Sequence, residues 1–233
     1  FFTILMQNPT YTGNSASKNI RSGIDSFKEG LNYAWHNPLL KWVMVLALIY
    51  FCFGMSYMQV FAPLFATEIL LIGASGLGIM LSINGFGGLI GGITLATINP
   101  TQKRGIGMLG VTATFGLMLI IFSLSTYTSS QILSFLILIP LGMVQTPFIA
   151  LANSVLLAES PEKMRGRVMS LMSFDRSIIT VGGALAGILC ESLGVQPSQI
   201  IFGGCLVIGA IIISLIAPVL YKNPKNTKSQ HIP

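Results

Sequence analysis

Glu159 to Gly187 reads ESPEKMRGRVMSLMSFDRSIITVGGALAG, and this stretch decides the fold. A short polar loop with three basic residues, Lys163, Arg165 and Arg167, leads directly into an apolar helix. Because Lys and Arg resist translocation, a basic loop at the end of a long apolar helix is typical of the cytoplasmic face of a membrane protein. The stretch therefore predicts a membrane span and its orientation.

The composition of the whole chain also indicates a membrane protein. Its 233 residues are 52% hydrophobic and only 9% charged, whereas charged residues make up about a quarter of a soluble domain. The formal charge of +6 comes from basic residues in short loops, so we expect contact with anionic lipid headgroups and not with nucleic acid. The three cysteines lie in apolar segments without CxxC or histidine spacing, which predicts neither a disulfide framework nor a metal site.

Six apolar runs predict an all-α membrane protein with six transmembrane helices. Each run is long enough to cross a hydrocarbon core of about 30 Å at 1.5 Å per residue. The predicted spans are residues 39–65, 74–98, 105–124, 132–158, 168–193 and 199–221. Overlapping GxxxG pairs in the second span predict close packing against a neighbouring helix. Pro140 and Pro147 predict a disturbed backbone in the fourth span.

The segments around the spans predict three parts of the chain. Residues 1–37 are predicted to hold the end of a preceding helix, a polar cytoplasmic linker and an amphipathic helix at the membrane surface. Residues 38–221 form the six-helix transmembrane domain, and residues 222–233 form a polar cytoplasmic tail. Since the first residues look like the truncated end of an apolar helix, we interpret the chain as a fragment of a longer protein.

Basic residues are distributed very unevenly between the two sides of the predicted membrane domain. Alternating the loops places every Lys and Arg except Arg176 on one side or at its helix ends, whereas the opposite loops near Glu68, Ser125 and Gly194 carry none. The positive-inside rule then predicts a multi-pass protein of the plasma (inner) membrane, with both ends of the fragment in the cytoplasm.

Polar side chains within the spans identify a candidate site, because amides and charges in a membrane need a protein or water partner. The third and sixth spans contain only Thr, Ser and Cys as interior polar groups, so we expect these two helices to face lipid. The other four spans carry four candidate substrate-binding amides and a candidate proton-coupling or polar pair: Gln59, Asn84, Gln145, Asn153, and Asp175 with Arg176. We expect those four helices to share a polar interior, which is the arrangement of a 3+3 inverted repeat.

Each candidate residue also has a structural interpretation. Asp175 could titrate a proton or contact a cationic substrate, or it could only pair with a nearby base. Arg176 could snorkel toward the inner surface. The four amides could form interhelical hydrogen bonds without a ligand, and Gln145 is the strongest substrate candidate because it combines central depth with flanking prolines. The sequence contains no HExxH motif, Ser-His-Asp set or P-loop, so we predict no enzyme, no cofactor and no metal.

The loop SPEKMRGRVMS and the later GGALAG, with the glycine-rich second span and the order of elements, resemble the C-terminal half of a major facilitator superfamily transporter. The chain most resembles the drug and macrolide efflux branch, which includes the enterobactin exporters. The most specific piece of the resemblance is Arg165-Gly166-Arg167-Val168. It implies that Arg165 and Arg167 hold a cytoplasmic gate, although both could serve only as topogenic charge. It also implies a missing N-terminal half with six further helices.

The expected function is secondary active transport by alternating access. The resemblance implies proton-coupled efflux of drugs or other amphiphilic small molecules. One alternative is an uptake permease of the same superfamily. A six-span intramembrane enzyme or a channel protomer has less support, because an enzyme needs a convergent catalytic pair at one depth and a channel needs a re-entrant loop between spans.

Overall fold

The computed structural model describes residues 31–98, 104–128, 131–159, 175–217 and 220. Within these residues the chain is helical and contains no strand. The long helices are α1 (Pro38–Ile69), α2 (Gly73–Ile98), α3 (Arg104–Ser125), α4 (Gln131–Glu159), α5 (Asp175–Leu193) and α6 (Val195–Ile216). All except α5 are long and apolar enough to cross a membrane, and the described part of α5 is a shorter apolar helix. The predicted all-α membrane fold is confirmed.

Several predicted features lie outside the described residues. These are the linker with most of the amphipathic surface helix, the turn around Lys103, the first residues of the fifth span, and the polar tail. The loop that carries Arg165 and Arg167 also lies outside them. The proposed boundaries at residues 37 and 222 therefore stay predictions.

The start of α1 is defined by a helix cap. Residues 31–36 are helical, and the Asn37 side-chain oxygen then accepts a hydrogen bond from the Leu39 backbone N–H at 3.0 Å. This contact satisfies one of the N–H groups that a helix start leaves without a partner. The Lys41 ammonium lies 4.8 Å from the ring centroid of Trp35, whose side chain is exposed. Such a Trp–Lys pair is typical of the depth of lipid headgroups.

The backbone of α1 departs from a regular α-helix at three places. Wide π turns cover Tyr50–Gly54, Tyr57–Phe61 and Phe65–Ile69. In the first of them the Met55 N–H bonds to the Tyr50 carbonyl oxygen, five residues earlier, at 3.2 Å. A π turn holds more residues per turn than an α turn, so it changes the direction in which later side chains point. As a result, different faces of α1 contact α3, α4, α5 and α6.

Close backbone packing joins α2 to α4. A Cβ atom at Gly87 would collide with the Ile139 carbonyl oxygen, and one at Gly91 would collide with the Met143 carbonyl oxygen. This pair is one of the predicted GxxxG motifs, and only glycine lets the two backbones approach so closely. The Met143 carbonyl also lacks its usual helical donor, because Pro147 has no N–H. Pro147 and Gly91 therefore both act at the Met143 carbonyl. The proline removes its helical donor, and the glycine lets the backbone of α2 approach it.

The helix packing repeats between the two halves of the chain. Helix α2 packs on α4, and α5 packs on α1. Helix α3 packs on α4, and α6 packs on α1, while α3 and α6 pack on each other. Exchanging the first three helices with the last three maps these contacts onto one another, although the contact between α5 and α6 has no counterpart of similar extent between the described parts of α2 and α3. The packing thus agrees with the predicted 3+3 inverted repeat.

Helices α3 and α6 form one side of the molecule. Their backbones cross at Gly116 and Gly203, where a Cβ atom on Gly203 would lie 2.7 Å from the Gly116 carbonyl oxygen. The outer faces carry exposed apolar side chains: Leu117, Ile121 and Leu124 on α3, and Ile208, Ile212 and Leu215 on α6. These faces suit lipid. However, α6 begins at Val195 and not at Gln199, so its inner face is more polar than the sequence predicted.

Candidate functional site

A groove between α1, α2 and α4 brings together three of the four predicted amides. Its volume is about 640 Å³, which lies within the range of small-molecule sites. The amides are Asn84, Gln145 and Asn153. The other lining residues are apolar, small or uncharged: Met58, Leu81, Gly85, Gly88, Leu89, Thr146, Ile149 and Ala150. The described residues therefore give the groove an apolar wall with a few hydrogen-bonding groups and no charge.

Asn84 reaches the groove from the middle of α2. Its side chain is almost fully buried, and its Nδ2 donates a hydrogen bond to the Met58 sulfur at 3.6 Å. Gly142 of α4 packs against the Asn84 carbonyl oxygen, where a Cβ atom would collide. The backbone of Asn84 is thus held in place by close packing, while its amide rests on a weak thioether acceptor.

Gln145 has a similar arrangement on α4. Its Nε2 donates to the Met55 sulfur at 3.6 Å, and its backbone carbonyl accepts a hydrogen bond from the Tyr50 hydroxyl at 3.1 Å. The Tyr50 ring in turn stacks on Phe148, with the ring centroids 3.7 Å apart. Since Pro147 follows two residues later, the Tyr50 hydroxyl supports a stretch of α4 where a regular helix bond is missing.

Asn153 lies on the same face of α4, two helical turns beyond Gln145. Its side chain is half-buried. Thr146 is exposed within the groove. Together these residues extend the polar lining along α4.

Gln59 does not line this groove. Its side chain is exposed and points toward α5, where a Cβ atom at Gly183 would lie 3.6 Å from Gln59 Oε1. Helix α5 packs on this other face of α1, since Gly182 sits against the Cys52 carbonyl oxygen. Four helices were expected to share one polar interior, but in the described part of the chain this groove receives lining residues only from α1, α2 and α4.

The remaining predicted residues cannot be placed against the groove. Asp175 and Arg176 form the first turn of α5, but their side chains lie outside the described part of the structure. Arg165 and Arg167 precede it and are also outside. Among the described residues, no group of three or more His, Cys, Asp or Glu side chains could hold a metal ion.

The sequence prediction missed Met55 and Met58. Neither was singled out as a polar partner, yet each accepts a hydrogen bond from a groove amide. Their three-residue spacing on one membrane helix, next to Gln59, is the sequence signal that could have identified them.

A second group of missed residues joins α3 to α6, and we call it the seam: Ser123, Thr126, Gln196 and Gln199. The Ser123 hydroxyl donates to the Gln196 carbonyl at 2.8 Å, and Gln196 Nε2 donates to the Thr126 hydroxyl at 2.8 Å. Gln199 is fully buried, and its Nε2 donates to the Leu119 carbonyl at 3.1 Å. The seam amides thus donate to oxygen acceptors, while Gln199 Oε1 is buried without a hydrogen-bond partner in the described part of the chain.

Comparison with known proteins gives two matches. The family model described as Major Facilitator Superfamily matches residues 1–181. The multidrug efflux pump Tap of Mycolicibacterium fortuitum is 25% identical over 171 residues, which cover 73% of this chain and 41% of that pump. The chain thus spans about two fifths of the length of this relative. No solved structure matches the chain.

Proposed function

Because the chain belongs to the major facilitator superfamily, a family of transporters, we propose that it supplies the C-terminal half of an efflux transporter for amphiphilic small molecules. The observation that carries this proposal is the groove between α1, α2 and α4, which has the size of a ligand site and collects Asn84, Gln145 and Asn153. A groove with apolar walls and a few amides suits a substrate with a hydrophobic body and some polar atoms.

The mechanism that we propose is alternating access. An N-terminal half with six further helices would cover the groove, and rocking of the two halves would open it first to one side of the membrane and then to the other. The export direction is supported by the similarity to a multidrug efflux pump. Gln59 lies outside the groove, on the side of α1 that faces α5, and would contact only a substrate that extends beyond the groove.

We also propose that proton entry drives the transport. Asp175 is the candidate proton carrier, because an acid within a membrane helix is functional by default, and Arg176 is its candidate neighbouring charge. Arg165 and Arg167 are proposed to hold the cytoplasmic gate. We propose that the protein lies in the plasma membrane with both ends of this chain in the cytoplasm, which the distribution of basic residues supports.

Everted membrane vesicles test the direction and the energy source. Vesicles from an efflux-deficient bacterium that expresses the complete gene should accumulate a lipophilic fluorescent dye when a proton gradient is imposed, and a protonophore should abolish this accumulation. D175N should leave dye movement insensitive to the gradient. E191Q is the matched control, because Glu191 is an exposed acid on the same helix.

Three results would contradict the proposal. Accumulation in right-side-out vesicles instead of everted ones would identify an uptake permease. Gradient-driven accumulation that D175N leaves intact would remove Asp175 from the coupling. Absence of dye movement in either orientation, with the protein inserted, would count against efflux of amphiphiles.

A further inference from the structure

We infer that Met55 and Met58 hold the two groove amides as temporary acceptors, and that the substrate is a neutral amphiphile whose carbonyl, ester or ether oxygens replace them. This inference rests on the proposed transport function and names the substrate class of the same groove. It starts from an unusual feature: Asn84 and Gln145 both donate to a thioether sulfur.

Thioether sulfur is a weak hydrogen-bond acceptor, and buried amides in proteins normally bond to oxygen. The seam shows that this fold can supply oxygen acceptors, because Gln196 and Gln199 reach oxygen atoms at 2.8 and 3.1 Å. In the groove both acceptors are sulfur, whose larger radius accounts for the longer distances of 3.6 Å, so the weakness comes from the acceptor type. The groove amides are therefore oriented but only weakly bound.

The methionine side chains can withdraw at low cost. Methionine has three rotatable bonds and adapts its shape to its surroundings, and both Met55 and Met58 are only half-buried. The backbones behind the amides are fixed, on Gln145 by the Tyr50 hydroxyl and on Asn84 by the close packing of Gly142. A ligand can thus exchange N–H···S contacts for stronger N–H···O bonds while the helices stay in place.

The chemistry of the groove selects the class of ligand. Among the described residues, no charged side chain lines it, so the described lining offers a cationic substrate no counter-charge. The amide N–H groups favour acceptor oxygens, and the apolar walls formed by Leu81, Leu89 and Ile149 favour a hydrocarbon body. A neutral amphiphile with spaced carbonyl, ester or ether oxygens satisfies both requirements.

A matched pair of fluorescent probes tests the substrate class. One probe carries an ester in its chain, and the other has methylene groups in place of the ester at equal length. The complete transporter in proteoliposomes should move the ester probe with a KM about tenfold lower, because the hydrocarbon probe forms no hydrogen bond with the amides. Asn84→Leu and Gln145→Leu should raise the KM of the ester probe and leave that of the hydrocarbon probe within about twofold. The hydrocarbon probe thus serves as a folding control in every variant.

Two substitutions at Met58 test its role as a positioning residue. Met58→Gln supplies a strong oxygen acceptor that holds the Asn84 amide, so the KM of the ester probe should rise about tenfold while the maximal rate and the hydrocarbon probe change little. Met58→Leu has a similar volume and no acceptor, so the KM of the ester probe should stay within about threefold of wild type. Met55→Gln and Met55→Leu should behave in the same way through Gln145.

The following results would contradict either the inference or the transport function on which it rests. Equal KM values for the two probes in the wild type, or a stronger preference for a cationic probe, would overturn the substrate class. Equal effects of Met58→Gln and Met58→Leu on both probes would show that the methionine only packs. If the inserted wild type moves neither probe nor any dye, the proposed efflux function itself fails. Transport without discrimination contradicts only this inference.

Discussion

The seam between α3 and α6 and the groove between α1, α2 and α4 both contain carboxamide side chains, but they satisfy them differently. In the seam, Gln196 and Gln199 donate to oxygen atoms at 2.8 and 3.1 Å, and Gln199 is fully buried. In the groove, Asn84 and Gln145 donate to sulfur at 3.6 Å beside an open space of about 640 Å³. The seam amides join helices, and we propose that the groove amides remain available to a ligand.

Backbone packing does not distinguish the two regions. In the seam helices, Gly203 meets the carbonyl of Gly116. Beside the groove, Gly91 meets the carbonyl of Met143. Both contacts are as close as glycine allows. The two regions therefore differ in their polar side chains and not in their backbone packing. Substitutions of those side chains can test function without changing the packing.

The largest effect is expected from a bulky residue at the α3–α6 crossing. A Cβ atom at Gly203 would lie 2.7 Å from the Gly116 carbonyl oxygen and 2.8 Å from a side-chain carbon of Ile120. Gly203→Val should therefore lower the free energy of unfolding by about 3 kcal/mol or more, which size-exclusion yield and thermal unfolding in detergent would detect. Gly204→Val is the matched control, because nothing lies within 4 Å of a Cβ atom there. Equal losses in the two variants would show that the helices do not cross at Gly203.

The next-largest effect is expected from removing the two groove amides, which distinguishes them from the seam amides. The double variant Asn84→Leu with Gln145→Leu should reduce the transport of an oxygen-rich neutral probe at least about tenfold, because each amide hydrogen bond is worth about 1 kcal/mol, a factor of about five. Its thermal midpoint should remain close to that of the wild type, since only contacts to thioethers are lost.

The seam supplies the opposite control for that double variant. Gln199→Leu should change the free energy of unfolding by no more than about 1 kcal/mol, because it removes the bond to the Leu119 carbonyl together with the buried, unpartnered Gln199 Oε1. Its transport should be unchanged. A loss of transport in Gln199→Leu as large as in the groove variant would contradict the division into binding and structural amides.

A smaller effect is expected from the support behind Gln145. Tyr50→Phe keeps the ring that stacks on Phe148 but removes the hydroxyl that donates to the Gln145 carbonyl. We expect a three- to fivefold rise in KM, which corresponds to about 1 kcal/mol for one hydrogen bond. Tyr127→Phe is the control, because Tyr127 is exposed on the far end of the α3 segment. An unchanged KM in Tyr50→Phe would show that the hydroxyl does not position the amide.

The long helices could be predicted from the sequence because the length of an apolar run and the hydrogen bonds of a membrane helix leave little choice. The meeting of Asn84, Gln145 and Asn153 could also be predicted, since polar groups at similar depth avoid lipid by facing each other. The position of Gln59 could not be predicted. It lies within the second π turn of α1, and a π turn breaks the regular angle per residue on which helical spacing depends.

Two further features depend on information that composition does not contain. Met55 and Met58 count as apolar residues, and their role as acceptors follows only from which amides approach them. Gln196 and Gln199 were assigned to a loop and a helix end because they are polar. The structure includes both in α6 because Gly194, with a φ of 91°, makes the turn from α5 within one residue.

Photolabelling would show directly whether the substrate binds in the groove between α1, α2 and α4. A transported neutral ester probe that carries a diazirine would be activated in vesicles containing the complete protein, and the labelled peptides would be identified by mass spectrometry with and without excess unlabelled probe. We expect competition to remove label from groove residues such as Leu89, Ile149 and Asn153 and to leave label on the outer faces of α3 and α6 unchanged. Competition that removes label from α3 and α6 but not from the groove would contradict binding in the groove.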